Sequence, residues 1–383
     1  MARSGLGLAG SALAQSLSDW RDRLITDPEF QRWVARSPFT RWFARRRARA
    51  LFDICAGFVY SQILSACVAL DLFEIFRSGP KDCETVAERT GLDCEAALRL
   101  LKAAASLRLL KERPDGRFAL DDLGAAMIGN PGVAAFVAHH DLLYADLADP
   151  VALLRGERET RLSRFWSYSG NRPGADGRSG AAGGHTAAYS SLMSRTQAMV
   201  AEAVLDAYPF ARHRGLLDVA GGEGAFVAAA ARRAPALALT LFDLPSVAER
   251  ASQRIATLGL SRRVTIVGGD MLRDPLPKGA DVVSLVRVLH DHDDESARAI
   301  LAAVRDALPQ NGTLVVAEPM AGVRGTEPMA DAYFGFYLLA MGRGRPRSAD
   351  EIAALLRAAG FGAERRFRTP TPLVVSVVAG RRV

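Results

Sequence analysis

The chain is poor in the residues that build disulfide or zinc scaffolds. It has four cysteines, Cys55, Cys67, Cys83 and Cys94, and six histidines among 383 residues. No two cysteines form a C-x-x-C pair, and no histidine lies near them at metal-ligand spacing. The pattern argues against a metal site and reads as reduced thiols in a cytoplasmic protein. No uninterrupted apolar run approaches the roughly 18 residues of a membrane-spanning helix. Residues 2–16, ARSGLGLAGSALAQS, have a short, Gly-rich centre where a signal peptide needs an apolar one, and read as a disordered leader.

Tryptophan is also scarce, yet it is concentrated. Three of the four, Trp20, Trp33 and Trp42, lie in or beside residues 21–49. Nine arginines there face only Asp22, Asp27 and Glu29, so this segment holds six of the chain's seven net positive charges. Aromatics interleaved with arginine suit an anionic bilayer surface, a surface helix packed on the fold or, less well, a nucleic acid. With 49% hydrophobic and 24% charged residues, the rest reads as an ordinary globular protein.

Residues 52–76 are apolar at helical spacing. A short helix, a turn at Gly91, a helix capped by Asp93 and a hairpin around Pro114, Asp115 and Gly116 follow, the order of a winged helix-turn-helix. The second helix, EAALRLLKAAASL, is too apolar to read a DNA groove. It suits a dimer interface, and no nucleic-acid partner is expected. Residues 170–184 are rich in Gly, Ser and Ala and read as a flexible loop. From 215 onward, strand candidates alternate with helices, which predicts a doubly wound, Rossmann-like α/β sheet. The expected organisation is an Arg/Trp-rich segment over 1–50, a winged-helix-like dimerisation domain over 51–169, the loop, and a catalytic domain over 185–383.

The loop GLLDVAGGEGAF, residues 215–226, nearly fits a dinucleotide fingerprint, but Val227 stands where the third glycine belongs. Asp218 and Glu223 beside a helix N-terminus repel a pyrophosphate and suit a cationic ligand. Asp243 ends the second strand, where a carboxylate can accept ribose hydroxyls. Asp270 and Met271 follow the third strand, placed for an adenine amine and ring. Glycines in the first turn with acids ending three successive strands describe S-adenosylmethionine better than a nicotinamide dinucleotide.

The motifs DVAGGEG, FDLP, GGDM, VLHDHDDE, VVAEP and LLRAAGF resemble those of the plant-type O-methyltransferase family and its bacterial members. The resemblance covers nearly the whole chain. It implies a class I methyltransferase domain, S-adenosylmethionine as donor, a hydroxyl acceptor and a homodimer. It places the cofactor on Asp218, Gly221, Gly222, Gly224, Asp243, Leu244, Asp270, Met271 and Arg287. It makes His290 the general base, with His292 a weaker alternative, Glu318 the group that holds the histidine, and Asp291 either a positioning group or a helix cap.

Two positions depart from the family. Val286 stands where relatives often carry a cofactor lysine, and Pro346 where they often carry a second glutamate. The acceptor pocket is expected from Met193, Met199, Tyr333, Phe334, Phe336, Tyr337 and Met341, although core packing explains the same run. The N-terminal half resembles the carotenoid-hydroxyl methyltransferases of purple photosynthetic bacteria, which implies a hydrophobic acceptor and an enzyme peripheral to the inner membrane. A soluble aromatic or polyketide hydroxyl is the nearest alternative, and a cofactor-binding winged-helix regulator a more distant one.

Overall fold

The computed structural model describes residue 15 and residues 18–165, 197, 199–369 and 375–383. The chain divides into two units, Met1–Gly124 and Ala125–Val383. The boundary lies well upstream of residue 169, because the helices at 131–165 cluster with the catalytic unit. The glycine-rich stretch 170–184 lies outside the described residues.

The first unit opens with helices α1 (residues 18–26), α2 (Pro28–Arg36) and α3 (Arg41–Ala69). Asp27 caps α2, accepting from the amides of Glu29 and Phe30. A short helix α4 (Leu72–Ile75) leads to α5 (Cys83–Thr90), α6 (Cys94–Ser106) and the hairpin β1 (Leu110–Glu112) and β2 (Phe118–Leu120). The winged-helix order is therefore present. Asp82 and Asp93 cap α5 and α6, and Gly91 takes a left-handed conformation between them. Helix α6 buries Ala97, Leu101 and Ala104, while its exposed Arg99 is paired to Glu95.

One expectation is corrected here. By length and composition, α3 is long and apolar enough to cross a membrane. Asp53, Gly57, Ser61, Gln62 and Ser65 break its apolar run, so no uninterrupted stretch marks it. Only 6% of its apolar window is buried within the chain. Leu51, Phe52, Ile54 and Phe58 are exposed.

Helix α7 (Asp122–Met127) crosses the boundary. The second unit then adds α8 (Pro131–Asp146), α9 (Pro150–Arg155), α10 (Arg161–Phe165) and α11 (residues 199–207). Its sheet strands are β3 (Gly215–Val219), β4 (Ala238–Asp243), β5 (Val264–Gly268), β6 (Val282–Val286), β7 (Thr313–Glu318), β8 (Phe361–Phe367) and β9 (Ser376–Arg382), in the order β5-β4-β3-β6-β7-β9-β8. The first five in this order pair in parallel, while β9 is antiparallel to both neighbours. Strands β3, β6 and β7 are buried along their whole length, as a sheet covered on both faces requires. The covering helices include α12 (Ala225–Arg233), α13 (Pro245–Thr257), α14 (Asp294–Ala307) and α16 (Ala349–Ala358). Edge strand β8 gave no clear sequence signal, because FGAERRF carries three charges.

The strand order reverses between the parallel neighbours β3 and β6, so a crevice opens at their carboxyl ends. At the opposite end, Asp281 ties the two strand starts together. Its carboxylate accepts from the amides of Arg214 at 2.9 Å and Gly215 at 2.8 Å, and meets His213 Nδ1 at 3.2 Å. Replacing Asp281 with Ala leaves those donors without their carboxylate. This should cost about 1–3 kcal/mol. Thermal unfolding of Asp281→Ala should show a Tm lowered by several degrees. An unchanged Tm rules out this anchor.

Candidate active site

At the crevice, the turn after β3 is built on left-handed residues. Ala220 has φ 54°, Gly222 φ 58° and Gly224 φ 81°. Alanine there costs roughly 1–2 kcal/mol that glycine would not. A Cβ on Gly221 would sit 2.6 Å from Asp218 Oδ2, so the glycine permits the close turn.

Asp218 is itself nearly inaccessible. Its Oδ1 accepts from Ser284 Oγ at 2.6 Å, across the β3–β6 pair, while Oδ2 has no partner. Burial pushes its carboxyl up to about 7. Asp243 is buried beside it, pushed up to about 6, also by burial. Its oxygens accept from the amides of Gly222 at 2.8 Å and Leu244 at 2.7 Å. An orphaned buried carboxylate oxygen at a glycine turn fits a cationic ligand and disfavours a phosphate.

Glu223 does not contribute as its position suggested. It faces Arg250 and Arg254, each at 3.6 Å, so its charge is matched within the protein. Asp270 holds its own turn by accepting from Leu272 N at 3.0 Å and lies 3.6 Å from Arg273. Met271 is half-buried against the core on that side.

His290 stands on the other side of the crevice. Arg287, with φ 60°, ends β6 in a left-handed turn, and its amide donates to Ala317 O at 2.7 Å. A 3-10 turn, Leu289–Asp291, follows and carries His290. His290 Nε2 lies 3.3 Å from Asp291 Oδ1, and Nδ1 is buried without a partner. Burial holds the imidazole well below its usual range, reinforced by Arg287, His292 and Arg347. Burial likewise holds the Asp291 carboxyl well above its usual range.

Glu318, at the end of β7, meets this turn differently from expectation. Its Oε2 accepts from the backbone amide of His290 at 3.1 Å, and Oε1 has no partner. It fixes the backbone of the turn, and Asp291 is the carboxylate beside the ring.

Arg347 was missed by sequence reasoning. It is fully buried and donates to Leu289 O at 2.6 Å, His292 O at 2.8 Å and Asp294 Oδ1 at 2.7 Å. One guanidinium thus grips the His290 turn from both ends. Gly344 makes this approach possible, since a Cβ there would fall on the His290 carbonyl oxygen. Nothing in GRPRSADE distinguishes this arginine from its exposed neighbour Arg345. Pro346 sits beside the clamp, and Val286 is packed in the core.

The acceptor side is aromatic. A π-helical turn, Pro328–Phe334, runs into α15 (Gly335–Met341). Phe334 lies 6.2 Å from the His290 ring and 6.3 Å from Tyr337. Tyr337 OH meets His139 at 3.0 Å and Tyr333 OH meets His140 at 2.8 Å, both from α8. Burial lowers His139 to about 4 and raises both tyrosines, so this wall is uncharged at neutral pH. Met341 is packed among Leu143, Leu153 and Leu162, and Phe336 packs against that cluster. Met341 is a core position, whereas Phe336 is only partly buried. Met199 is exposed, and Met193 lies outside the described residues.

This arrangement defines a class: a two-unit protein with a cation-seeking crevice beside a buried imidazole. Residues 52–130 match the O-methyltransferase dimerisation domain and residues 144–362 the O-methyltransferase domain. The chain belongs to the O-methyltransferase family and is an S-adenosylmethionine-dependent O-methyltransferase. The dimerisation match supports a homodimer.

Among particular relatives, it is 45% identical to the demethylspheroidene O-methyltransferase of Cereibacter sphaeroides, over 100% of this chain and 97% of that protein. The enzyme of the same name from Rhodobacter capsulatus is 41% identical over 91% of this chain and 85% of that one. Among solved structures, CalO1, a methyltransferase of calicheamicin biosynthesis in its SAH-bound form, superposes with a TM-score of 0.69. It is 29% identical and covers 88% of this chain and 98% of that one.

Two outcomes follow from the geometry. A bound cation favours ionised carboxylates, so cofactor binding should release protons below the raised values of Asp243 and Asp218. Calorimetric affinity for S-adenosylmethionine should rise as pH goes from about 5.5 to 7.5. In Asp218→Asn that rise should be smaller, and an identical slope removes Asp218 from the linkage. Arg347→Met should lower kcat by roughly 10- to 100-fold with the cofactor Kd unchanged. Its acid limb should move to higher pH, because one cation that depresses His290 is gone. A mutant with lower kcat but the parental pH profile contradicts this placement.

Proposed function

We propose that the chain methylates the tertiary 1-hydroxyl of a carotenoid of the demethylspheroidene type. The observation that carries this reading is the 45% identity to the Cereibacter sphaeroides enzyme along the whole chain, the N-terminal segment included. The uncharged aromatic wall beside His290 supports it, because an apolar lining favours a long hydrocarbon acceptor.

S-adenosylmethionine, when bound, supplies a methyl group on a positively charged sulfur that needs no further activation. Asp218, Asp243 and the turn Ala220–Gly224 would hold it. The chain's remaining task is to orient the acceptor and remove its proton. With the proton of His290 on Nε2, facing Asp291, Nδ1 presents a lone pair. It would accept the proton of the acceptor hydroxyl. Glu318 and Arg347 fix the backbone that aims the ring.

Incubating the full chain with labelled cofactor and a panel of 1-hydroxycarotenoids and phenols tests the acceptor. Label should enter the carotenoid ether, and faster turnover of phenols defeats the assignment. His290→Ala should lower kcat about 10²- to 10⁴-fold while cofactor binding stays intact. Unchanged turnover would falsify the base.

A further inference from the structure

The family-model matches begin at residue 52, so α1, α2 and the first turns of α3 precede both of them. No residue of α2 is buried. Trp20, Trp33, Phe39 and Trp42 are each at least 60% exposed. Monomer surfaces rarely show so many aromatics in one short segment. Between these helices lies a cavity of about 830 Å³, lined chiefly by Ile25, Phe30, Val34, Trp33, Trp42 and Phe43.

The charge around these rings is one-sided. Asp22 is engaged by Arg21, Asp27 caps α2, and Glu29 lies 3.7 Å from Arg32. Among the described residues, Arg23, Arg36, Arg41, Arg45 and Arg46 have no carboxylate within ion-pair distance. Arg47 lies over the Phe43 ring at 5.6 Å.

We propose that residues 18–51 dock on the anionic face of a lipid bilayer, with the indoles at headgroup depth and the guanidinium groups against lipid phosphate. Charge complementarity selects this occupant. A second copy of the same surface would bring like charges together, which disfavours self-association. A nucleic acid would satisfy the arginines but leave Ile25, Val34 and Leu51 without an apolar partner. Arginine stems lie along apolar surface while their heads reach phosphate, which is the side-chain economy of an interface. The inference stands apart from the acceptor assignment, since binding is read without catalysis.

The test is flotation of the full-length protein with phosphatidylcholine vesicles, with and without 30% phosphatidylglycerol. Three of the chain's four tryptophans lie in the segment, so indole emission gives a second readout. Protein should float with the anionic vesicles and shift its emission to the blue. Binding should fall at least tenfold in 0.5 M NaCl, in Arg41→Glu/Arg45→Glu/Arg46→Glu, and in Trp20→Ala/Trp33→Ala/Trp42→Ala. Both triple variants should keep parental cofactor affinity and dimer mass, which shows that they fold. No flotation, or flotation indifferent to both variants, overturns the proposal. Tighter binding to duplex DNA, or loss of the dimer in either variant, assigns the surface elsewhere and also overturns it.

Discussion

The active site depends on one buried cation. Arg347 carries a full charge at zero exposure, a placement that proteins tolerate only when the charge is paired and its donors are used. Asp294, at the first turn of α14, supplies the counter-charge, and the carbonyls of Leu289 and His292 take remaining donors. The guanidinium thereby joins the loop before α16 to the 3-10 turn and to the start of α14. Glu318 closes the same turn from β7 through the His290 amide. The turn that carries His290 has little freedom, because its backbone is gripped by two groups, Arg347 and Glu318. The positive φ at Arg287 is strain that this grip sustains.

A second constraint is the concentration of buried acids at the sheet's switch point. Asp218, Asp243, Asp291 and Glu318 are all inaccessible, and burial raises the carboxyl of each. Burial makes their ionisation costly, and a cation in the crevice offsets that cost where an anion would add to it. The crevice is therefore unfavourable to a pyrophosphate for a reason deeper than a missing glycine. Glu223, which looked like part of that reason, is neutralised by Arg250 and Arg254. The selectivity lies in the strand-end acids, not in the turn.

The parts legible in the sequence were those with a local signal. Parallel strands are continuous apolar runs, caps are aspartates one step before a helix, and the cofactor turn is a glycine cluster after a strand. Asp243 and His290 were placed at the crevice because strand ends are recognisable. Arg347 was not found, since burial of an arginine depends on three chain segments meeting, which no window of sequence contains. Ser284 offered a cue, being the lone polar residue in the buried run VVSLV, directly opposite Asp218 in the strand register. The pocket residues separated only in three dimensions: the periodicity of DAYFGFYLLAMG cannot tell Phe334, beside His290, from Met341, packed in the core. Helix α3 escaped as a long apolar element because small residues and Asp53 interrupt its run.

For the base role proposed for His290, its depressed basicity looks ill suited to an alcohol, which is a weak acid. The difficulty exists only if the proton leaves first. As the oxygen acquires its new carbon bond it becomes positively charged, and a protonated ether is a far stronger acid than the alcohol from which it came. A base with a lowered pKa is sufficient for that proton, provided it is already in place and uncharged. Burial secures the second condition, since desolvation and the nearby Arg287 and Arg347 both oppose protonation of the imidazole in the resting state. The clamp secures the first. The features that make His290 a poor base in water thus keep it free for a proton that becomes available only as the bond forms.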